Sequence, residues 1–227
     1  MDQPGKPQSF EDREYFPSFV DCPGEHAWDD RYFEDAHPSD PTSAVTNRKH
    51  WCLLGEIIQA DTLIRPRIVA KDYKGDRFVV AFYPDDTNDM RRLLQNFKVG
   101  NTIAIFYALV HNFLDGSVGV RVEKSDRVLI IPLTFNDVIK MNEQVIAYTP
   151  VGNAPRQCHA CGEVKQNLNM CARCTLFYYC NKDCQTKAWN EKDHKKFCKV
   201  LKDKNIRSMH FLNYGTYHSS SSFSQVP

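Results

Sequence analysis

The chain has 227 residues, enough for one large domain or two small domains with tails. Hydrophobic residues make up 42% of it and charged residues 25%, a composition that excludes a fully disordered or fibrous protein. Its longest apolar run covers the eight residues 103–110, far fewer than the roughly 20 that a membrane-spanning helix needs. The polar start lacks the features of a secretory signal, so we expect an intracellular protein, either nuclear or cytoplasmic.

Residues 1–45 form the first predicted segment, an acidic N-terminal arm rich in aromatic residues. Residues 1–48 contain 11 acidic side chains and four basic ones. Aromatic residues are too frequent for a plain disordered tail, although the segment shows no sustained hydrophobic period. We therefore expect part of the arm to lie against the following domain, with a local helix near Trp28 to Phe33.

Residues 46–147 change to short runs rich in β-branched and aromatic residues, which indicates a β domain. The pairs Lys74-Gly75 and Asp115-Gly116 separate successive runs, because glycine accepts the positive φ of a tight turn. Five strands are predicted, the last interrupted near Ser125: Trp51 to Gln59, Leu63 to Lys71, Arg77 to Tyr83, Thr102 to Val110, and Ser117 to Ile131.

Two helices are predicted in the same domain. The first lies between the third and fourth strands, with Thr87 as its cap, Gly100 at its end, and Met90, Leu93, Leu94 and Phe97 at helical spacing. Five strands with a helix at this place match an OB-like β-barrel, so the predicted fold class is α+β, although an SH3-like or sandwich arrangement would have similar strand lengths. The second helix begins at Thr134 and is expected to pack on the barrel, and residues 148–157 are predicted to be a linker.

Nine cysteines in a reducing compartment favour metal binding over a disulfide framework. Cys22 and Cys52 stand apart from the rest and are predicted to be small buried apolar side chains. The other seven join His194 in four pairs: Cys158 with Cys161, Cys171 with Cys174, Cys180 with Cys184, and His194 with Cys198.

The spacing within these pairs predicts two structural zinc sites. Two pairs have C-x2-C spacing, which places both sulfurs on one tight turn, and the other two are four residues apart, which places both donors on one face of a helix. Four pairs complete two tetrahedral Zn²⁺ sites with no position open to water or substrate, so the metals would be structural. Spacing alone allows three ways of dividing the four pairs into two sites.

The whole pattern, together with Tyr179, Gln185 and Trp189, resembles the MYND zinc finger. In that family the sites interleave, which implies one zinc on Cys158, Cys161, Cys180 and Cys184 and the other on Cys171, Cys174, His194 and Cys198. His159 is a competing donor between two ligand cysteines, but spacing favours His194. The finger is predicted over residues 158–202, and residues 203–227, which contain four consecutive serines, are predicted to be a flexible tail.

MYND fingers are typically protein-interaction modules that hold proline-rich peptides in a shallow groove, which implies peptide contacts from Gln185 and Trp189. The alternative is that Trp189 packs inside the finger and Gln185 is simply solvated. Residues 113–123 are also similar to counterparts in small fungal proteins with a C-terminal MYND finger, which implies a two-part adaptor. The leading hypothesis is therefore a zinc-dependent adaptor that binds a proline-containing segment of a partner protein.

Two alternatives belong to other classes. An OB-like barrel could bind single-stranded nucleic acid through aromatic and basic side chains, for which the candidates are Tyr73, Phe78, Phe82, Tyr83, Arg65, Arg67, Lys71 and Arg77. Against this, residues 49–154 are nearly neutral, with 13 bases and 12 acids, and the 11 bases and five acids of residues 155–204 are offset by metal-bound thiolates. The other alternative is a fragment of a SET-domain methyltransferase, but no cofactor-binding motif is found, so we expect no enzymatic activity.

Overall fold

The computed structural model describes residues 6–36, 45–61, 66–83 and 93–223. The chain divides into two compact units. Phe10–Asn136 and Asn213–Pro227 make up the first, named here the β unit, and Met1–Ser9 and Asp137–Leu212 make up the second, named the finger unit. Within the described residues, every helix is too short or too polar to cross a membrane.

Nine strands of the β unit are described. They are β1 (Phe33–Asp35), β2 (Val45–Asn47), β3 (Cys52–Asp61), β4 (Arg67–Lys71), β5 (Arg77–Phe82), β6 (Thr102–Phe106), β7 (Val110–Asn112), β8 (Val118–Val122) and β9 (Val128–Ile131). β1 and β2 pair with each other, and the others form one sheet in the order β7-β8-β5-β4-β3-β6-β9. The protein is therefore a mixed α+β structure with one large sheet.

β8 and β9, which are consecutive along the chain, pair with different parts of this sheet. β3, β4 and β5 are antiparallel neighbours, and β6 is antiparallel to β3. β8 then runs parallel to β5, whereas β9, the next strand along the chain, is antiparallel to β6. Consecutive strands thus pair with the opposite ends of the β5-β4-β3-β6 group.

The sheet has seven described strands where five are predicted, because two predicted strands are each divided. The predicted strand Thr102 to Val110 is broken at Tyr107, whose φ of 54° lies in the left-handed region and turns the chain. The predicted strand Ser117 to Ile131 is broken by a short 3-10 helix, Ser125–Arg127, near the expected interruption. The start of the predicted strand from Leu63 lies outside the described residues.

The core of the β unit consists of the inward-facing aliphatic and aromatic side chains of the sheet. Burial of these side chains is the main favourable contribution to folding. Cys22 and Cys52 lie within the buried interior, 6% and 0% exposed, as predicted for apolar side chains. The fully buried members include Leu53, Ile57, Ile68, Phe78, Val80, Ile103 and Val128.

The N-terminal arm contributes to this core. Phe10 and Phe16 are buried, and the ring of Phe19 stacks on Phe78 at 4.8 Å between centroids. Residues 28–33, where a local helix is predicted, instead form a turn that leads into β1. The reason is visible in Tyr32, whose ring packs edge-on against Trp51 at 4.9 Å and so ties this segment to the sheet.

The predicted helix between the third and fourth strands is described only in its last part. Residues 93–96 are helical, and Leu93 and Phe97 are buried, with the Phe97 ring 5.0 Å from that of Phe82. Thr87 and Met90 lie outside the described residues. The helix ends at residue 96 rather than at Gly100, which has a φ of 88° in the following turn, where the N–H of Asn101 donates to the carbonyl of Lys98 at 3.0 Å.

The structure differs from the predicted flexible tail over residues 203–227. Residues 204–211 are helical, and residues 213–223 belong to the β unit. Tyr214 and Phe223 are buried there, and the Phe223 ring stacks on Phe106 at 4.8 Å. The backbone N–H of His50 also donates to the Tyr214 carbonyl at 2.8 Å.

Among its described residues, the finger unit contains a two-strand hairpin and four helices. The elements are α1 (Phe135–Tyr148), β10 (Asn169–Met170), β11 (Tyr178–Tyr179), α2 (Lys182–Glu191), α3 (His194–Leu201) and α4 (Lys204–Phe211). From Asp137 onward, α1 belongs to this unit, whereas the sequence pattern assigns it to the barrel domain.

Hydrogen bonds explain why α1 belongs with the finger. Gln144 accepts a hydrogen bond from Nε2 of His159 at 2.9 Å, and Nζ of Lys192 donates to the Tyr148 hydroxyl at 2.8 Å. Asn142 donates to the carbonyl of Gln8 at 2.9 Å, which ties Gln8 to α1. The helix is thus held by polar contacts with specific partners as well as by its apolar face.

Candidate metal centre

The two C-x2-C segments adopt the same backbone turn. The N–H of Gly162 donates to the carbonyl of Cys158 at 2.8 Å, and the N–H of Thr175 donates to that of Cys171 at 2.9 Å. The backbone of each donor residue is in the left-handed region, with a φ of 77° at Gly162 and 58° at Thr175. Each turn therefore presents two cysteine side chains from one short loop, as a zinc site requires.

The other two pairs are positioned by helix starts. His194 is the first residue of α3 and Cys198 the fifth, so both side chains lie on one face. Cys184 is in the first turn of α2, and its N–H is capped by Oδ1 of Asn181 at 2.9 Å. Cys180 precedes this cap, so its pair is formed by a strand end and a helix start rather than by one helix as predicted.

The structure brings the eight predicted ligands together in two sets. Within each set the ligand atoms all lie within 4.8 Å of one another. The division is the interleaved one that the resemblance implies. We name the sets after their first residues: the Cys158 set is Cys158, Cys161, Cys180 and Cys184, and the Cys171 set is Cys171, Cys174, His194 and Cys198.

The distances within the sets fit a zinc ion. Sulfurs held about 2.3 Å from a tetrahedral centre are separated by about 3.8 Å along each edge. The observed Sγ–Sγ separations are 3.7 Å for Cys161–Cys180, 3.9 Å for Cys161–Cys184 and 3.7 Å for Cys171–Cys198. These values are far longer than the S–S bond of a disulfide, about 2.05 Å. We therefore interpret the close sulfurs as edges of two ligand tetrahedra rather than as thiol hydrogen bonds.

Burial in the Cys171 set disfavours thiolates that lack a compensating cation. All four members are buried, and burial raises the pKa of the Cys198 thiol. The hydrogen bond with Cys171, together with burial, also raises the pKa of Cys174. Several thiolates cannot share a buried site unless a positive ion compensates them, and Zn²⁺ supplies that charge while deprotonating its ligands.

His194 is the ligand histidine and His159 is not. Nε2 of His194 lies 4.0 Å from Sγ of Cys174, as one more edge of the Cys171 set. His159 is fully buried, stacks on Phe177 at 4.1 Å, and uses Nε2 to bond Gln144. Burial lowers the pKa of His159 to about 3, so it stays neutral and serves as a packing residue.

Gln185 and Trp189 both lie on α2, where Gln185 follows Cys184 of the Cys158 set and Trp189 lies near His194 of the Cys171 set. Gln185 is exposed, whereas Trp189 is half-buried with its ring 5.7 Å from that of His194. Trp189 lines a surface depression of about 530 Å³, and Gln185 is not among the lining residues. The other lining residues, which the sequence motif does not mark, are Arg173, Asn190, Asp193, Lys195, Lys196 and Lys199. The Lys-rich run 192–204 is the sequence signal for three of them.

The aromatic candidates for nucleic-acid binding are divided by burial. Phe78 and Phe82 are each 1% exposed and belong to the core, so they cannot stack on bases. The guanidinium of Arg13 covers the Tyr73 ring at 3.6 Å, and that of Arg121 lies 4.8 Å from the Tyr83 ring. Arg65 lies outside the described residues.

Comparison with known proteins identifies the C-terminal part of the chain. Residues 158–198 match the family model described as the MYND finger. A SET and MYND domain-containing protein of Dictyostelium discoideum is 54% identical over 39 residues, which are 17% of this chain. The chain spans only 7% of the length of that relative.

Two solved structures resemble part of the chain. The S. pombe Stn1–Ten1 complex has a TM-score of 0.29 and 16% identity, covering 37% of this chain and 60% of that one. The S. cerevisiae mitochondrial single-stranded DNA binding protein Rim1 has a TM-score of 0.27 and 10% identity, covering 38% of this chain and 97% of that one. The family match and the two ligand sets together establish residues 158–198 as a MYND zinc finger with two structural zinc sites.

Proposed function

We propose that the protein is a zinc-dependent interaction adaptor whose finger binds a proline-containing segment of a partner protein at Trp189, with a contribution from Gln185. The observation that carries this proposal is the half-buried indole of Trp189 at the edge of the surface depression. A flat aromatic side chain suits a proline-rich segment, because such a segment is already extended and loses little entropy on binding. The zinc sites would act by holding α2 and α3, which carry five of the seven lining residues.

The same proposal assigns no catalytic step to the chain. Each ligand set supplies four donors, so neither metal has a position for water or substrate. Thiolate ligands also need a reducing compartment, which supports an intracellular location, nuclear or cytoplasmic.

Binding of a fluorescent peptide with a short run of prolines tests the proposal. Fluorescence anisotropy should show saturable binding to the full chain, and Trp189→Ala should weaken it about tenfold or more, as expected for loss of a central aromatic contact. Gln185→Ala should weaken it less, because Gln185 is exposed and outside the depression. Native mass spectrometry of each variant should still show two zinc ions. Unchanged affinity in a zinc-loaded Trp189→Ala protein would exclude this site.

We also propose that the β unit is an OB-type barrel. The support is the strand pairing: a β3-β4-β5 meander, β6 beside β3, and β8 parallel to β5. Continuation of β8 into β9 beside β6 gives the connection that would close the sheet.

Single-strand nucleic-acid binding by this unit is a second candidate function. A groove of about 630 Å³ is lined by Tyr83, Phe113, Arg67 and Arg121 among others, which combines stacking surfaces with cations. Arg67 and Arg121 are, however, ion-paired with Asp115 and Glu123, both at 2.9 Å. Binding of a single-stranded oligonucleotide that weakens steeply with salt and with Phe113→Ala would support this function, and salt-independent or absent binding would exclude it.

A further inference from the structure

The depression beside Trp189 has a strongly one-sided charge. Four of its lining residues are cationic, Arg173, Lys195, Lys196 and Lys199, and only Asp193 is acidic. An uncharged proline run would leave these charges without partners from the ligand. The cationic excess attracts negative groups over a distance of about 8 Å at physiological ionic strength.

The cations differ in whether the protein already neutralises them. Lys196 pairs with Asp137 at 2.7 Å and with Asp193 at 3.8 Å. The ion pairs found among the described residues include none that involves Arg173, Lys195 or Lys199, and all three side chains are exposed. Three cations are therefore available to a ligand that lies across Trp189.

These three residues stand beside zinc ligands, which offers a competing explanation. Arg173 precedes Cys174, Lys195 follows His194, and Lys199 follows Cys198. Three thiolates and one Zn²⁺ leave the Cys171 set with one negative charge, which nearby cations stabilise. If that were their whole role, removing them would weaken zinc retention and would not discriminate between peptides.

From this arrangement we propose that the Trp189 groove selects proline-containing segments flanked by glutamate or aspartate. The indole contacts the prolines, and Arg173, Lys195 and Lys199 contact the flanking carboxylates. This inference rests on the proposed function, because it specifies the ligand of the same groove. Its electrostatic part contributes to selectivity and to association rate more than to total affinity.

Two labelled peptides test the inference, one with a run of prolines between glutamates and one with the same run between glutamines. The glutamate peptide should bind the full chain about tenfold more tightly at low salt, since each exposed ion pair contributes only modestly. That advantage should shrink as salt is raised.

A triple variant and a matched control locate the effect. Arg173→Gln, Lys195→Gln and Lys199→Gln together should abolish the preference for the glutamate peptide while native mass spectrometry still shows two zinc ions. Lys182→Gln, Lys202→Gln and Lys204→Gln together remove the same charge from exposed positions outside the depression and should keep the preference.

The possible contrary results separate the two proposals. The two peptides could bind the full chain equally tightly, and Trp189→Ala could abolish the binding of both. That result would overturn the acidic-ligand inference and leave the proposed function standing. Failure of both peptides to bind would overturn both. Loss of zinc in the triple variant, or tighter binding of single-stranded DNA that depends on the same three cations, would assign these residues to metal-site stabilisation or to nucleic acid instead.

Discussion

At the residue scale, the two zinc sites differ most in the exposure of their ligands. Cys161 is exposed and Cys180 and Cys184 are half-buried, whereas all four ligands of the Cys171 set are buried. Reagents that attack metal-bound thiolates need access to the sulfur, so exposure should decide which site reacts first.

We predict that zinc leaves the two sites in order. A thiol-alkylating reagent added in small amounts should modify the Cys158 set first and release one of the two zinc ions, which a colorimetric zinc indicator measures. Peptide mass mapping then identifies the modified cysteines. The Cys161→Ala variant, which lacks one ligand of the Cys158 set, should show only the slower release of zinc from the Cys171 set. Early modification of Cys171 or Cys198 would contradict the burial argument.

Two of the buried histidines, His159 and His194, make a second residue-scale prediction. His194→Ala should lower the zinc content to about one ion per chain, because only three of the four ligands that a structural zinc needs would remain at the Cys171 set. His159→Phe should retain two zinc ions, since Phe can stack on Phe177 in its place. The lost hydrogen bond to Gln144 should cost about 1 kcal/mol of folding stability. Elemental analysis gives the metal content, and loss of zinc in His159→Phe would assign that residue to a site.

At the scale of elements, the sequence predicts the strands better than their ends. Alternation and turn residues locate the strands around Lys74-Gly75 and Asp115-Gly116. The break at Tyr107 has no such signal, because its left-handed φ belongs to a bulky residue that tertiary contacts hold: Ser221 donates its N–H to the Tyr107 hydroxyl at 2.7 Å. Long-range contacts of this kind cannot be read from a local pattern.

The parallel pair of β5 and β8 depends on a close backbone approach at Gly119. A Cβ at this position would overlap the carbonyl oxygen of Val79. Gly119→Ala should therefore lower the free energy of unfolding of the β unit by about 3 kcal/mol or more. Gly75→Ala is the matched control: its Cβ would enter open space, so only the left-handed φ of 91° costs energy, about 1 kcal/mol. Denaturant unfolding measures the free energy of unfolding of both variants. Equal losses in the two variants would contradict the observed pairing of β5 with β8.

At the scale of the whole molecule, the ligand positions are predictable from sequence but the limits of the two units are not. C-x2-C and i, i+4 spacing mark the zinc ligands directly, and the family pattern supplies their division. The apolar face of α1 shows that this helix is buried without showing which partner buries it. Its placement depends on single polar contacts, such as Gln144 with His159, that leave no periodic signal.

The C-terminal segment shows the same limit and allows a prediction. Serine-rich composition suggests mobility, yet Tyr214 is 1% exposed and belongs to the core of the β unit. Tyr214→Ala should destabilise this unit by about 3–5 kcal/mol, the usual cost of removing a buried aromatic ring. Tyr217→Ala, at a half-buried position, should cost about 1 kcal/mol. Hydrogen exchange of the β3 and β6 amides measures the stability loss in both variants. Unchanged protection in Tyr214→Ala would contradict the packing of Tyr214 in the core.

The central claim, that two closed zinc centres organise the C-terminal finger, is tested most directly by native mass spectrometry of the folded chain before and after chelation. We expect the mass of the chain plus two zinc ions with all nine cysteines reduced, and loss of amide protection in residues 158–198 when both ions are removed. A folded chain with fewer than two zinc ions, or with disulfides among these cysteines, would contradict the claim.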